Sequence, residues 1–193
     1  MSPYPGRVPE SSPLPLPDPP LSDGTVALRP WSEEDIPALL AAGADPLIRR
    51  FQPSQPAAEA EIRTWLDGLE PARERGAWLE LAVSPVDGAH VLGSMSLWDV
   101  RLRHHSAMLS YWLAADARGQ GVATRAVGLL ARWSFDALGL ARIGLFIDPD
   151  NAASRRVAER CGAVHEGTLR SHFEHHGERR DTLLYGLLPE DLP

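Results

Sequence analysis

The stretch WLAADARGQGVATRAVGLLARW, residues 112–133, joins an apolar run to a helical pattern through a short loop with two glycines. The first amides of a helix have no partner inside the helix, and the helix dipole adds positive charge there. Glycine adopts unusual backbone angles and lets a bulky anion approach the main chain. The order strand, glycine loop, helix therefore predicts a pyrophosphate cradle, to which Arg118 would add charge and Thr124 a hydroxyl.

Two familiar phosphate loops do not match this stretch. The nucleotide triphosphate loop needs a lysine, and all nineteen basic residues of this chain are arginine. The dinucleotide pattern GxGxxG fails because position 124 is threonine and an antiparallel hairpin is expected before the loop. The absence of lysine also excludes a Schiff-base lysine. An ordinary glycine turn that enters a helix remains the alternative interpretation of the glycines alone.

Hydrophobic periodicity on both sides of the loop predicts the remaining elements. Upstream we expect a strand at 25–30, helices at 31–43 and 55–70 with a loop and short helical turn between them, a hairpin of 77–84 and 89–100, and a strand at 107–114. Downstream we expect a helix at 123–138, a strand at 142–147, a helix at 151–162, and strands at 164–170 and 181–188. This order predicts an α+β fold, in which about four helices flank a mixed, mostly antiparallel sheet of about six to seven strands.

The totals narrow the class of protein. A chain of 193 residues suits one domain, which we place at 23–193. Eight of the first twenty residues are proline, so 1–22 is expected to be a disordered leader, with a ligand for a proline-binding groove as the alternative. Cys161 stands alone, which excludes an internal disulfide and a cysteine-based zinc site.

Charge and hydropathy bear on partners and location. The net charge is −7 and no basic run occurs, so we expect no nucleic-acid partner. No apolar run approaches the roughly 18 residues that a membrane span needs, and the N-terminus lacks the layout of a secretion signal. We therefore expect a cytoplasmic protein with no membrane partner.

Two separate blocks of sequence resemble one known family. ARGQGVATRA, residues 117–126, has the form Arg-x-x-Gly-x-Ala and resembles the signature loop of the GNAT superfamily of acyl-CoA-dependent N-acetyltransferases. The later block from Asp148 to Leu188 is similar to the branch that contains the ribosomal-protein N-terminal (alanine/serine) acetyltransferases. The resemblance covers about residues 24–190. It implies acetyl-CoA as co-substrate, two strands that splay at the acyl-CoA site, and, because dimers occur among similar proteins, a homodimer.

The resemblance also implies which residues contact the acyl-CoA. The loop amides would bind the pyrophosphate, the strand before the loop would lie along the pantetheine arm, and a backbone N–H near Leu113 would stabilise the oxyanion. Asn151 would touch the pantetheine, and it is equally suited to cap the helix that follows. The implied set is Trp112, Leu113, Ala114, Arg118, Gly119, Gln120, Gly121, Val122, Ala123, Thr124, Asn151 and Ser154.

The catalytic groups are where this chain departs from the family pattern. Many relatives carry a tyrosine acid where this chain has Ala158, but Ser154 fits the Asn-x-x-Ser of the ribosomal-protein branch and is our candidate donor to the sulfur, with a helix serine bonded to its own backbone as the alternative. Many relatives carry a glutamate base where this chain has Met108. His172 and Glu174 are our candidates for that role, because their segment borders the acceptor cleft in relatives. Water could also carry the proton, and further candidates are Glu80, Asp99, His104 and His105.

Three histidines, His172, His175 and His176, raise the question of a metal. No second cluster converges on them in the sequence, so we expect a solvated turn and no metal. The amine acceptor is set by loops near 44–55, 100–106 and 170–180. Their arginines would bind an anionic acyl tail or an acidic acceptor, or face water; they are Arg49, Arg50, Arg101 and Arg103.

The sequence thus favours an enzyme that moves an acetyl group from acetyl-CoA to a primary amine, such as a protein N-terminus, by direct attack in a ternary complex. One alternative uses another acyl-CoA, such as succinyl-CoA, or a small-molecule amine such as an antibiotic. The other alternative is a non-catalytic acyl-CoA-binding module, which Met108 and Ala158 support.

Overall fold

Eight strands form a single sheet in the computed structural model, which describes residues 12–175 and 177–193. The strands are β1 (Leu21–Ser22), β2 (Val26–Arg29), β3 (Trp78–Pro85), β4 (Gly93–Arg101), β5 (Ser106–Leu113), β6 (Arg142–Ile147), β7 (Val164–His175) and β8 (Glu178–Leu187). Their order across the sheet is β1-β2-β3-β4-β5-β6-β8-β7. Neighbours are antiparallel except β5 and β6, which run parallel. The predicted fold class is confirmed, and the two-residue β1 raises the strand number above the expected six to seven.

Five helices cover the two faces of the sheet: α1 (Ile36–Ala44), α2 (Pro46–Phe51), α3 (Glu59–Glu74), α4 (Val122–Ala137) and α5 (Ala152–Arg160). The main core lies between the sheet and α4, where Ala126, Val127 and Leu130 are fully buried. Helices α1 to α3 form a second core with Trp112 of β5, whose side chain points the other way from its neighbours. The longest of these helices have 16 residues, and none in the described parts of the chain is long and apolar enough to cross a membrane.

Helix α2 replaces the loop with a short helical turn that the sequence predicted. Its cap is Asp45, whose carboxylate accepts the amides of Leu47 at 2.8 Å and Ile48 at 3.1 Å. Pro46 at the first helical position needs no hydrogen-bond donor there. The cap fixes the start of α2, and residues of this helix line the cleft beside the strands.

The N-terminal segment differs from the predicted leader over the part that is described. Leu14 is fully buried in the main core, and its amide donates to the carbonyl of Arg73 at the end of α3 at 3.0 Å. Leu21 and Ser22 pair with β2. Residues 12–22 therefore pack against the domain, through the buried side chains of Leu14 and Pro17 and through Leu21 at the edge of the core. Residues 1–11 lie outside the described residues.

The two parallel strands separate soon after they meet. β5 and β6 pair over three positions only, from Ser106 with Arg142 to Met108 with Gly144. β5 then continues to Leu113 and β6 to Ile147, but the two strands do not pair with each other again. The sheet therefore contains a wedge-shaped gap between 109–113 and 145–147, which we call the strand gap.

Candidate functional site

The strand gap opens into a cleft of about 320 Å³. β5 and β6 form its sides, the loop before α4 closes one end, and α2 and α5 form the walls. Lining residues from α2 are Leu47, Ile48, Phe51 and Gln52, and those from α5 are Ala153, Ser154, Arg156, Val157 and Arg160. Most of α2's contribution was not expected from the sequence, because its residues carry no pattern beyond ordinary apolar spacing.

The loop before α4 presents bare main chain to this cleft. Gly119 and Gly121 have φ of 75° and 79°, which residues with a side chain rarely adopt, and both are exposed. Gly121 is the N-cap of α4, and no side chain caps the helix. Within the described residues, no group accepts a hydrogen bond from the amides of 119–124.

These amides fit an oxyanion ligand. A Cβ atom at Gly119 or Gly121 would meet no heavy atom within 4 Å, so an anion can reach the main chain there. Unpaired amides at the start of a 16-residue helix favour negative charge. In the alternative of an ordinary glycine turn, these exposed amides would bond only to water. A bound pyrophosphate would accept hydrogen bonds from them.

Arg118 does not supply the free charge that the sequence suggested. Its guanidinium donates to the carbonyl of Leu113 through Nε at 3.1 Å and Nη2 at 2.9 Å, and it pairs with Asp45 at 2.8 Å. Although burial opposes it, hydrogen bonds from the Ile48 amide, Arg118 and the Leu47 amide hold the pKa of Asp45 below its usual value. Arg118 therefore ties the loop to the end of β5 and to the cap of α2.

Cationic groups at the cleft that pair with none of the described residues come instead from α5. Arg156 and Arg160 line the cleft and lie one helical turn apart, on the same face of the helix. Neither residue was predicted from the sequence. Their spacing of four residues within RRVAER was the signal that could have identified them.

The edge of β5 offers backbone donors to the strand gap. The Ala114 amide donates to Leu92 on the β4 side at 2.9 Å, so by alternation the main chains of Leu113 and Tyr111 face the gap. The carbonyl of Leu113 already accepts from Arg118, and that of Tyr111 accepts from Gln52 Nε2 at 2.7 Å. The N–H of Leu113 thus points into the gap, where the resemblance implied an oxyanion donor.

The other predicted contacts on this strand and loop are placed differently. Ala114 is turned toward β4 and is absent from the described lining, as is Gln120, whose amide group folds back onto the carbonyl of Asp116. Trp112 lines the cleft, but its ring is 7% exposed and packs 6.2 Å from Trp31. Val122, Ala123 and Thr124 line the cleft as the first residues of α4.

Ser154 and Asn151 meet β5 across the cleft. The Ser154 hydroxyl lies 2.8 Å from the hydroxyl of Tyr111, and Asn151 Oδ1 accepts the Ser154 amide at 3.0 Å. Asn151 thus caps α5 while lining the cleft. Burial raises the pKa of Tyr111, so it stays protonated and can donate to Ser154. The proton of Ser154 is then available to a second acceptor, such as a leaving thiolate.

The two predicted bases do not line the cleft. His172 packs edge-on against Phe146 of β6 with ring centroids 4.8 Å apart, and Trp98 also packs on Phe146, at 6.0 Å. Phe146 itself lines the cleft, so His172 belongs to an aromatic wall one residue removed. Glu174 is exposed on β7, opposite Arg179. The strand predicted at 164–170 was too short, since β7 continues through both residues to His175, and the direction of each side chain was not available from the sequence.

The remaining candidates for the base differ in burial and in hydrogen-bond partners. Asp99 is exposed and paired with Arg101 at 2.8 Å, His104 is exposed, and His105 Nδ1 lies 2.9 Å from the carbonyl of Gly139. Glu80 is partly buried on β3. Its carboxylate accepts from Trp78 Nε1 at 2.6 Å and from the Ser94 hydroxyl. Burial raises the pKa of Glu80 to about 7, against the lowering effect of these hydrogen bonds.

Ion pairs join charged residues beside the cleft. Arg180 of β8 pairs with Asp148 at 3.0 Å and with Asp150 at 2.6 Å, and Arg50 of α2 pairs with Asp150 at 3.1 Å. Asp148 lines the cleft. Arg50 and Arg101 are therefore engaged with carboxylates of the chain itself.

The histidine group can be described only in part. His176 and the side chain of His175 lie outside the described residues. In the parts of the chain that are described, no group of three or more His, Cys, Asp or Glu side chains is placed to hold a metal ion.

Comparisons with known proteins agree with this geometry. A family model described as "Acetyltransferase (GNAT) domain" matches residues 25–164. Mycobacterium smegmatis RimJ, solved in complex with CoA-disulfide, superposes with a TM-score of 0.80 at 28% identity, covering 95% of this chain and 88% of RimJ.

Two curated relatives carry substrate names. YdaF of Bacillus subtilis (strain 168), whose name assigns it provisionally to the ribosomal N-acetyltransferases, is 31% identical over 105 residues, which is 54% of this chain and 57% of YdaF. The spermidine N(1)-acetyltransferase of Escherichia coli (strain K12) is 25% identical over 161 residues, which is 82% of this chain and 83% of that enzyme.

Proposed function

This chain belongs to the acetyltransferase (GNAT) family, and we propose that it moves an acetyl group from acetyl-CoA to the α-amino group of a protein or peptide. The observation that carries the proposal is the set of bare amides at 119–124, placed at the end of the strand gap. A pyrophosphate bound there would direct a thioester into the gap, toward the N–H of Leu113.

Each chemical step has a group of this chain beside the gap. The attacking amine must first lose a proton, because an α-amino group has a pKa of about 8. The N–H of Leu113 would receive the oxyanion that forms when nitrogen adds to the carbonyl. As the carbon–sulfur bond breaks, Ser154, whose hydroxyl lies 2.8 Å from that of Tyr111, would pass its proton to the departing sulfur and recover the proton that the nitrogen loses as the amide forms.

The choice of an α-amino group as acceptor rests on sequence likeness. Asn151 and Ser154 reproduce the Asn-x-x-Ser of the ribosomal-protein branch, and their side chains line the cleft together. YdaF adds a relative whose name points to the same branch. The spermidine acetyltransferase of Escherichia coli favours a second candidate, a polyamine acceptor.

A thiol-release assay with acetyl-CoA tests the proposal. The acceptor panel holds peptides with free N-terminal alanine or serine, the same peptides with a blocked N-terminus and one lysine, spermidine, and an aminoglycoside antibiotic. We expect thiol release only with the free N-termini, and mass spectrometry should place one acetyl group on the terminal residue.

Other outcomes of the same assay identify the alternatives. Turnover with spermidine or the antibiotic alone would replace the peptide acceptor by a small amine. Turnover that requires succinyl-CoA would change the acyl group. Coenzyme A binding without turnover for any acceptor would identify a non-catalytic acyl-CoA-binding module.

A further inference from the structure

Glutamate at the position of Met108 serves as base in many relatives, and here that position is filled by a thioether. Met108 is the last residue of β5 that pairs with β6. Its sulfur would lie 2.6 Å from a Cβ atom on Gly144, so the thioether covers the closed end of the strand gap. No proton can be held there, and the amine still has to lose one.

A polar row crosses the sheet two residues further along β5. Glu80 of β3 pairs in register with Ser96 of β4, which pairs in turn with Ser110 of β5. Side chains in one row across neighbouring strands point to the same face. Ser110 lines the cleft, so the row leads from the strand gap to Glu80.

Ser96, in the middle of the row, has a hydroxyl that could pass a proton. The Ser96 side chain is 3% exposed, and it lies close enough to Glu80 to lower the pKa of that carboxyl. No described group completes a hydrogen bond of normal geometry with its hydroxyl. A buried hydroxyl without a fixed partner carries a free-energy cost, which a proton-carrying contact on either side would remove.

Glu80 also differs from the other carboxylates near the site. Asp45, Asp148 and Asp150 are each paired with an arginine. Glu80 is bound by neutral donors only, Trp78 and Ser94, and no charged group contributes to its pKa. It can therefore change protonation state without breaking an ion pair.

Among the described residues, the elements packed against β3 present no charged partner to Glu80. Arg29 of β2 is paired with Asp35, and β4 presents Ser94 and Ser96. On α3, Arg73 is bound to Glu70. Apart from Arg73, every charged side chain of this helix is exposed; they are Glu59, Glu61, Arg63, Asp67, Glu70 and Glu74.

We propose that Glu80 is the terminal proton acceptor for the attacking amine, reached through the hydroxyls of Ser96 and Ser110. This inference rests on the acetyl transfer proposed above. The ammonium gives a proton to Ser110, Ser110 gives its own to Ser96, and Ser96 gives its own to the Glu80 carboxylate. An ammonium and a carboxylate become an amine and a carboxylic acid, so charge and protons balance. Glu80 later returns the proton to water.

The distances require a relay rather than direct contact. Neighbouring strands are about 4.8 Å apart, so Ser110 is about 10 Å from the backbone of Glu80 across two strand spacings. The serines bridge this interval in two steps. Glu80 is thus a positioning residue for the proton, and its test needs a readout that a structural role would not change.

The pH dependence of acetyl transfer provides that readout. For the wild-type protein we expect kcat/KM to rise with pH through a limb with its midpoint near 7, separate from the limb of the amine itself. Glu80→Gln should lose the limb near 7 and lower kcat about 100-fold, while coenzyme A affinity by calorimetry stays unchanged. Ser110→Ala should lower kcat and keep the midpoint. Glu74→Gln, on the exposed side of α3, should behave as wild type.

The outcomes separate this inference from the proposed function. Turnover by the wild type, with the same limb and rate in Glu80→Gln, would overturn the inference and leave acetyl transfer intact. Absence of wild-type turnover with every amine would overturn both. If Glu80→Gln fails to bind coenzyme A, an unchanged kcat in Ser110→Ala overturns the relay by itself.

Discussion

The two ends of the cleft are built from different parts of the chain. At the coenzyme end the ligand-facing groups are main-chain amides, exposed by Gly119 and Gly121 and carried on a long helix. At the other end they are side chains, such as Ser110 of β5, Phe146 of β6 and Asp148 just after β6. A backbone site depends on conformation, whereas a side-chain site depends on which residues share a face. The first should be broken by steric change and the second by loss of single functional groups.

The largest effect is expected from steric change at the coenzyme end. Gly121→Val places a β-branched residue at φ 79° and puts methyl groups over the bare amides. Hydrogen bonds to a charged group are worth about 1.5–3 kcal/mol each, so loss of one or two should weaken coenzyme A binding about 100-fold or more. Isothermal calorimetry measures the change.

Gly88 offers a matched control for this substitution. It also has a positive φ, 70°, and open space around its Cβ position, but it lies in the turn after β3. Gly88→Val should carry a similar backbone strain and leave coenzyme A affinity unchanged. Equal loss of affinity in both variants would mean that strain, and not the amides, explains the result.

The next largest effect should come from a functional group at the boundary between the two ends. Ser154→Ala removes the hydroxyl proposed to protonate the leaving sulfur and should lower kcat about 100-fold, with the KM for acetyl-CoA little changed. Tyr111→Phe keeps that hydroxyl and removes its 2.8 Å partner, so its effect should be smaller. A full loss in Tyr111→Phe with none in Ser154→Ala would assign the donor role to the tyrosine.

A smaller effect is expected from Arg118, because its charge is already paired. Arg118→Ala removes the bonds to Leu113 and Asp45 and should loosen the loop, weakening coenzyme A about 10-fold. Arg125→Ala is the matched control, since it removes the same charge from the first turn of α4, where Arg125 pairs with Asp23. If both variants weaken binding equally and the effect vanishes in high salt, charge rather than loop anchoring is responsible.

The smallest effect should be the loss of the α5 cap. Asn151→Ala removes the acceptor of the Ser154 amide, which should cost about 1 kcal/mol of unfolding free energy. Urea denaturation measures this loss. The cap also orients Ser154, so kcat should fall a few-fold. An unchanged stability with a large fall in coenzyme A affinity would instead assign Asn151 mainly to the ligand.

The same contrast explains what the sequence could predict. The strand, glycine loop and helix were placed within one or two residues, because glycine spacing and apolar period depend on local physics. The resemblance extended this to the fold and to the Leu113 donor. Arg118 was located, but its guanidinium turned to Asp45, seventy-three positions away, and no local pattern shows such a partner.

The other end of the cleft was harder to predict from the sequence, because it too depends on contacts between distant residues. His172 and Glu174 lie on β7 beyond the predicted end of the strand at 170, and neither lines the cleft, because side-chain direction on β7 depends on irregular register with β8. Glu80 was one candidate among several. Glu80 lies in one row with Ser96 and Ser110 only when three strands are paired. This pairing cannot be predicted from residues so far apart in the sequence.

A crystal structure with acetyl-CoA is the most direct test of the central claim, that main-chain amides hold the coenzyme. We predict pyrophosphate oxygens within about 3.2 Å of at least three amide nitrogens in 119–123, with the thioester oxygen facing the N–H of Leu113. A pyrophosphate held by Arg156 and Arg160 alone, with those amides turned to solvent, would contradict the account.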